Sequence, residues 1–182
     1  MSTERTGTVS FKGQPLTLLG PELRVGQPAP AFTVRRGLAP DTTYTLETDA
    51  GKIRIFNIVH SLDTSTCDLQ GKRFNQEATS LGEGIVVVTA SMDLPPAQER
   101  WCQATSAENL ITVSDYYDHS LGLAWGLRVK ETGVLTRSVV VLDGEGVVRY
   151  VQIVPESSLE PNYEEALEAA LKVARPGCCC CA

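Results

Sequence analysis

KIRIFNIVHSLDTSTCDLQGKRFNQEA, residues 52–78, begins as an apolar run of strand length and changes at His60 into a short hydroxyl-rich turn. One cysteine, Cys67, follows that turn, and the spacing predicts a helix over 68–80. The run Lys52 to Val59 is rich in β-branched and aromatic residues, which suit a pleated, buried strand. A strand that ends in a polar turn and feeds a helix is a unit of an α/β fold, with the cysteine at the junction.

The flanking sequence repeats the alternation. Before it, TGTVSFKGQPLTLLG alternates apolar and polar residues around Lys12, Gly13 and Gln14, the pattern of a hairpin. Phe32-Thr33-Val34 is a short extended segment. After it, Ile85 to Ala90 and Leu110 to Val113 read as strands, and Arg137 to Leu142 with Val147 to Val154, joined by Asp-Gly-Glu-Gly, reads as a second hairpin. Helices are expected over 97–105, around Cys102, and over 116–125. Over 162–174, Tyr163, Ala166, Leu167, Ala170, Leu171 and Ala174 form a helical apolar stripe. The expected architecture is α/β: a thioredoxin-like fold with a mixed central sheet, flanking helices and an N-terminal β-hairpin.

At 182 residues with 42% hydrophobic content, the chain is expected to form one domain with a core that needs no disulfide framework. Residues 1–174 are assigned to it and 175–182 to a flexible, cysteine-rich tail. A net charge of −6, with Lys and Arg dispersed, leaves no basic patch for nucleic acid or anionic lipid. The N-terminus lacks an apolar signal core and the longest apolar runs are too short to cross a bilayer, so a cytoplasmic protein with no nucleic-acid or membrane partner is expected.

Four of the six cysteines form the terminal run Cys178 to Cys181, which leaves Cys67 and Cys102 in the body. A thiol reacts as its thiolate, so a reactive site must favour the anion. A helix start beside Cys67 supplies unpaired backbone N–H groups and the positive end of the helix dipole. Thr64 offers a hydroxyl that can donate to the sulfur or to a bound oxygen substrate. Asp63 is suited to bonding amides of the turn.

The run SLDTSTCDLQGKRFNQEA resembles the active-site segment of the thiol peroxidases, the atypical two-cysteine subfamily of peroxiredoxins, through Ser61, Asp63, Thr64, Cys67, Phe74 and Asn75. Two further segments match in order. ASMDLPPAQERWC is similar to the subfamily's approach to its second cysteine through Asp93, Leu94, Pro95, Ala97, Arg100 and Cys102, and GVLTRSVVVLD places Arg137 at the start of a strand. The resemblance spans roughly residues 7 to 174. It implies a peroxidase in which Cys67 attacks hydrogen peroxide or an organic hydroperoxide and becomes a sulfenic acid, with Arg137 and Thr64 holding the peroxide. Cys102 then resolves Cys67 as an intramolecular disulfide, after local rearrangement, and thioredoxin reduces it. It further implies a homodimer, with no cofactor and no metal.

The chain departs from the subfamily at two positions. His60 stands where the peroxiredoxin loop begins with proline, and Pro96 stands where an aromatic residue is usual. With Ser61 and Asp63, His60 belongs to the expected substrate loop. Two readings of it stay open: a looser, wetter loop that weakens the enzyme, or a side chain that donates to peroxide or thiolate. The alternative functions are a redox sensor, or a thiol-disulfide protein with weak peroxidase activity. A general thiol-disulfide oxidoreductase fits less well, since its cysteines lie as Cys-x-x-Cys whereas these are 35 positions apart. No function is assigned to the tail.

Overall fold

The computed structural model describes residues 3–174. Seven strands form the central sheet: β3 (Thr33–Arg35), β4 (Thr43–Thr45), β5 (Ile53–Ile58), β6 (Ile85–Ser91), β7 (Ile111–Ser114), β9 (Ser138–Leu142) and β10 (Val148–Ile153), in the order β10-β9-β5-β6-β7-β3-β4. β5, β6 and β7 run parallel, while β9 lies antiparallel against β5 and β3 antiparallel against β7, so the sheet is mixed as expected. The N-terminal hairpin, β1 (Glu4–Phe11) and β2 (Gln14–Leu19), forms a separate three-stranded sheet with β8 (Arg128–Val129). Lys12 and Gly13 take positive φ at its turn, which lets two residues reverse the chain.

Every residue of β5 is buried, and the pleat sends alternate side chains to two cores. Ile53 and Ile55 pack with Val139, Val141, Phe74, Tyr163, Ala166 and Ala170, beneath α1 (Ser65–Ala78) and α4 (Tyr163–Ala174). Phe56 and Ile58 point the other way, into a core with Phe32, Tyr44, Trp125 and Leu135. Phe32, Phe56 and Trp125 meet edge to face there, with ring centroids 4.9 to 5.7 Å apart. On α1 the buried residues are Cys67, Gln70, Gly71 and Phe74, the i, i+3, i+4, i+7 spacing of one helical face laid on the sheet.

The helix expected over 116–125 is shorter. Only α3 (Ser120–Ala124) forms, because His119 takes a left-handed backbone and the Asp115 carboxylate accepts the Leu121 and Gly122 N–H groups that start the turn. β4 and β8, two short pieces of three and two residues, were not expected. α2 (Pro95–Thr105) begins two residues earlier than its periodicity indicates, with both prolines in the first turn, where a missing N–H carries no penalty. No helix among the described residues is long and apolar enough to cross a membrane. Residues 175–182, including Cys178 to Cys181, lie outside the described residues.

Candidate active site

The site is built where β5 ends and α1 begins. Thr64 is the N-cap in extended conformation, so α1 starts at Ser65 and Cys67 lies inside its first turn rather than ahead of it. This is earlier than the periodicity indicates, because Ser65 and Thr66 carry no apolar signal. The result places the Cys67 sulfur, fully buried, among the unpaired amides of the helix start.

Three residues remote in sequence converge on it. Arg137, just before β9, donates from Nη2 to Cys67 Sγ at 3.4 Å. Its other donors are used as well: Nη1 bonds Gln70 Oε1, and Nε bonds the Ser157 carbonyl at 3.1 Å. Gln70 Nε2 donates to Asn57 Oδ1 at 2.5 Å, and Asn57 Nδ2 donates to Thr89 Oγ1 at 3.0 Å. Asn57 and Thr89 are register partners on β5 and β6, so this row of buried polar side chains crosses the sheet under α1 and ends at the guanidinium. Arg137 is paired with no carboxylate among the described residues, and its nearest partner able to carry negative charge is the sulfur.

The loop supplies the rest. His60 Nδ1 lies 3.7 Å from Cys67 Sγ. The Thr64 hydroxyl donates to the Ser61 carbonyl at 3.0 Å. Burial pushes the Cys67 thiol up. The neighbouring His60 ring and Thr64 hydroxyl, the Ser61 backbone and the charge of Arg137 outweigh it and bring the thiol down to about 6. At neutral pH the thiolate therefore predominates.

Asp63 does not anchor the turn as expected; it is exposed, and no hydrogen bond of its carboxylate is found. Asp93, on the connection from β6 to α2, does that work instead. Its Oδ1 accepts from the Ser61 hydroxyl at 2.6 Å, and its Oδ2 from the Leu62 N–H and the Ser91 hydroxyl, each at 2.7 Å. The same segment leads into α2 and Cys102, so one carboxylate ties the Cys67 loop to the other cysteine's helix.

Cys102 is half-buried and free, as Cys67 is. Burial raises its thiol, opposed by a hydrogen bond with Thr112 and reinforced by Glu99. Both thiols join one small apolar cluster with Val59, Leu62 and Trp101. Trp101 holds the helices together: its Nε1 donates to Asp68 Oδ1 at 2.9 Å, and its ring lies where a Cβ on Gly71 would be 2.7 Å from Cη2. Asn75 Oδ1 also accepts the Asn109 N–H at 2.9 Å, beyond the end of α2.

Beside the sulfur opens a cavity of about 400 Å³, walled by His60, Thr64, Arg137 and the apolar Leu16, Val129 and Val134, with Phe11 and Lys12 from the N-terminal hairpin. The Cys67 sulfur contacts two of these wall residues, His60 and Arg137. Among the described residues no group of His, Cys, Asp or Glu could hold a metal ion.

Of the residues singled out in the sequence, the structure brings His60, Thr64 and Arg137 to Cys67, and it adds Gln70, Asn57, Thr89 and the anchoring role of Asp93, which sequence reasoning missed. Asn57 did leave a signal: it is an amide inside an apolar run read as buried, where a polar side chain must find a partner. The comparisons with known proteins place the chain in a family. The Redoxin family profile matches residues 24–167. Thiol peroxidases of Halalkalibacterium halodurans and Bacillus subtilis are each 45% identical, aligned over 90% and 89% of this chain and 96% and 95% of their own. That of Listeria innocua is 47% identical over 90% of this chain and 98% of its own. A peroxiredoxin-like protein from Aquifex aeolicus superposes with a TM-score of 0.83 at 35% identity, over 94% of this chain and 98% of that one. A match of this extent, carried through the cysteine turn and the arginine strand, settles the kinship: the chain belongs to the Redoxin family, among its thiol peroxidases.

Proposed function

We propose that the chain reduces hydroperoxides with Cys67 as the peroxidatic residue and Cys102 as the resolving one. The observation that carries this reading is the buried Cys67 thiol, lowered to about 6 and held 3.4 Å from a guanidinium that has no carboxylate partner among the described residues. The thiolate attacks the hydroxyl oxygen of the peroxide; the S–O bond forms, the O–O bond breaks and Cys67 becomes a sulfenic acid. Arg137 stabilises the negative charge as it moves from sulfur to the expelled oxygen, and Thr64 holds the attacked oxygen once its hydroxyl turns from the Ser61 carbonyl. Ser61 keeps the loop in place through Asp93.

Cys102 then attacks the sulfenic acid, expelling water and closing a disulfide that a thioredoxin-type dithiol reduces by exchange. The apolar wall of the cavity favours organic hydroperoxides beside hydrogen peroxide. A homodimer working in the cytoplasm completes the reading, on family grounds.

The test is peroxide consumption coupled to a thioredoxin system. Cys67→Ser should abolish consumption, and Cys102→Ser should consume about one equivalent and then stop, leaving a trappable sulfenic acid. Continued cycling in either variant would overturn the assignment of that cysteine.

A further inference from the structure

We propose that His60 is a catalytic acid: its imidazolium Nδ1–H bonds the resting Cys67 thiolate and then delivers that proton to the oxygen expelled from the hydroperoxide. The proposal rests on the peroxidatic reading of Cys67 and adds the group that completes its proton balance.

Position comes first. The ladder between β5 and β6 extends past the end of β5, where Val59 N–H donates to the Ala90 carbonyl at 3.0 Å and Met92 N–H to the His60 carbonyl at 3.4 Å. The backbone of His60 is thus held by the sheet edge, and the loop after it is held by Asp93. The ring sits with Nδ1 at 3.7 Å from Sγ and forms part of the cavity wall. His60 and Arg137 both contact the sulfur and both line that cavity, so a peroxide bound there meets them.

Chemistry then singles it out. Around the sulfur, Arg137 keeps its proton at any working pH, and the hydroxyl of Thr64 and amide of Gln70 are too weakly acidic to part with theirs. Imidazole is the one group here that exchanges a proton readily near neutrality. The charged groups that face or flank it are the Cys67 thiolate on α1, Arg137 at the start of β9, Lys12 on the hairpin turn, Asp63 in its own loop and Asp93, which Ser61 and Leu62 engage. The thiolate, 3.7 Å from Nδ1, supports the proton there. As the S–O bond forms, the sulfur gives up its charge and that support disappears when the leaving oxygen needs a proton.

The step balances. One thiolate, one hydroperoxide and the Nδ1 proton give one sulfenic acid, one alcohol or water, and neutral imidazole. Sulfur is oxidised by two electrons and the O–O bond is reduced by the same two. When Cys67 is later reduced to the thiol and ionises, its proton returns to Nδ1.

The experiment is stopped-flow oxidation of reduced protein by hydrogen peroxide, cumene hydroperoxide and peracetic acid across pH, with thiolate followed by ultraviolet absorbance. Rates are compared at equal thiolate fraction. His60→Gln should slow the first two by about 10²-fold, the usual scale of a positioned acid. It should leave peracetic acid nearly unchanged, because a carboxylate departs without a proton. Added imidazole should restore part of the loss in His60→Ala, which also serves if the glutamine variant does not fold. Equal slowing with all three oxidants would show that His60 only shapes the loop, and no slowing at equal thiolate would show that it acts only on ionisation; either result overturns the proposal. Fast oxidation of Cys67→Ser would instead strike the reading of Cys67 beneath it.

Discussion

Gln70→Glu is the sharpest perturbation of the site, because it changes one atom of a side chain that touches neither the substrate cavity nor the sulfur. Gln70 is fully buried and offers its carbonyl to Arg137 and its amide to Asn57. A neutral partner satisfies the guanidinium without neutralising it, so the charge stays available to Cys67. A glutamate would place an anion on the far side of Arg137. Its oxygen would lie about 6 Å from the sulfur, and two negative charges at that distance repel by about 3 kcal/mol at an effective dielectric of about 20. That is about two pKa units.

A thiol at about 6 is roughly nine-tenths thiolate at pH 7. Raised by two units it would be about one-tenth thiolate, so the peroxide step at pH 7 should slow about tenfold and recover as pH approaches 9. The replacement also loses the amide donor to Asn57, which should lower folding stability by about 1–3 kcal/mol near neutral pH, while the rate deficit should be confined to neutral and acid pH. Thiolate absorbance against pH, with stopped-flow oxidation at each point, makes the measurement. A thiol that still titrates at about 6 in this variant would show that a charge placed against Arg137 does not reach the sulfur and would refute the reasoning.

Gly71→Ala should destabilise the protein by about 1–3 kcal/mol, since the new methyl meets the Trp101 ring at 2.7 Å and forces it to move. Stopped-flow tryptophan fluorescence should then show faster disulfide closure, and unchanged stability would mean that the indole yields freely. The lowered Cys67 thiol also makes stability depend on pH. The unfolded state binds the proton more tightly, so thiolate stabilisation is fully present above the unfolded value near 9 and is lost as pH falls towards about 6. Between those limits, urea unfolding of the reduced protein should gain up to about 1.4 kcal/mol per pH unit relative to Cys67→Ser; parallel curves would contradict the low thiol pKa.

The parts of this protein legible in its sequence are those with a local signal. β5 declared itself as a run of apolar, β-branched residues, and all six of its side chains are buried. α4 showed its stripe, and Tyr163, Ala166 and Ala170 are the face that packs. The place of Cys67 at the strand-to-helix junction was legible from the same pattern, whereas its expected reactivity rested on the family resemblance. The start of α1 was not, because Ser65 and Thr66 are helical only through the cap and the tertiary hold on the loop. Asp63 and Asp93 exchanged roles for a similar reason: both carboxylates suit a turn, and proximity in sequence favours Asp63, but the chain brings Asp93 back from 30 residues away across β6. Gln70 joins Asn57 and Arg137 only because α1 lies across β5 and β9, a relation that neither periodicity nor composition carries.

If Cys67 and Cys102 take the proposed roles, the contacts between their helices serve two opposing demands. Peroxide reduction needs the closed arrangement, since the low pKa comes from groups that surround a buried sulfur. Disulfide closure calls for the local rearrangement that the family resemblance implies, since Cys67 is fully buried and each cysteine is held in a packed helix. The hold consists of the Trp101–Asp68, Asn75–Asn109 and Asp93–Ser61 and Leu62 hydrogen bonds. At about 1 kcal/mol net for each hydrogen bond, opening costs a few kcal/mol, within the range of local unfolding below the global transition. The pKa difference keeps the order of events: Cys102, raised by burial, stays a thiol while the structure is closed, and becomes a competent nucleophile once its segment is exposed to water. A tighter hold would leave the sulfenic acid waiting beside fresh peroxide and open to further oxidation. A looser one would let water reach Cys67 and weaken the groups that keep it a thiolate, so the strength of this small set of contacts sets both how fast the enzyme reacts and how long it survives.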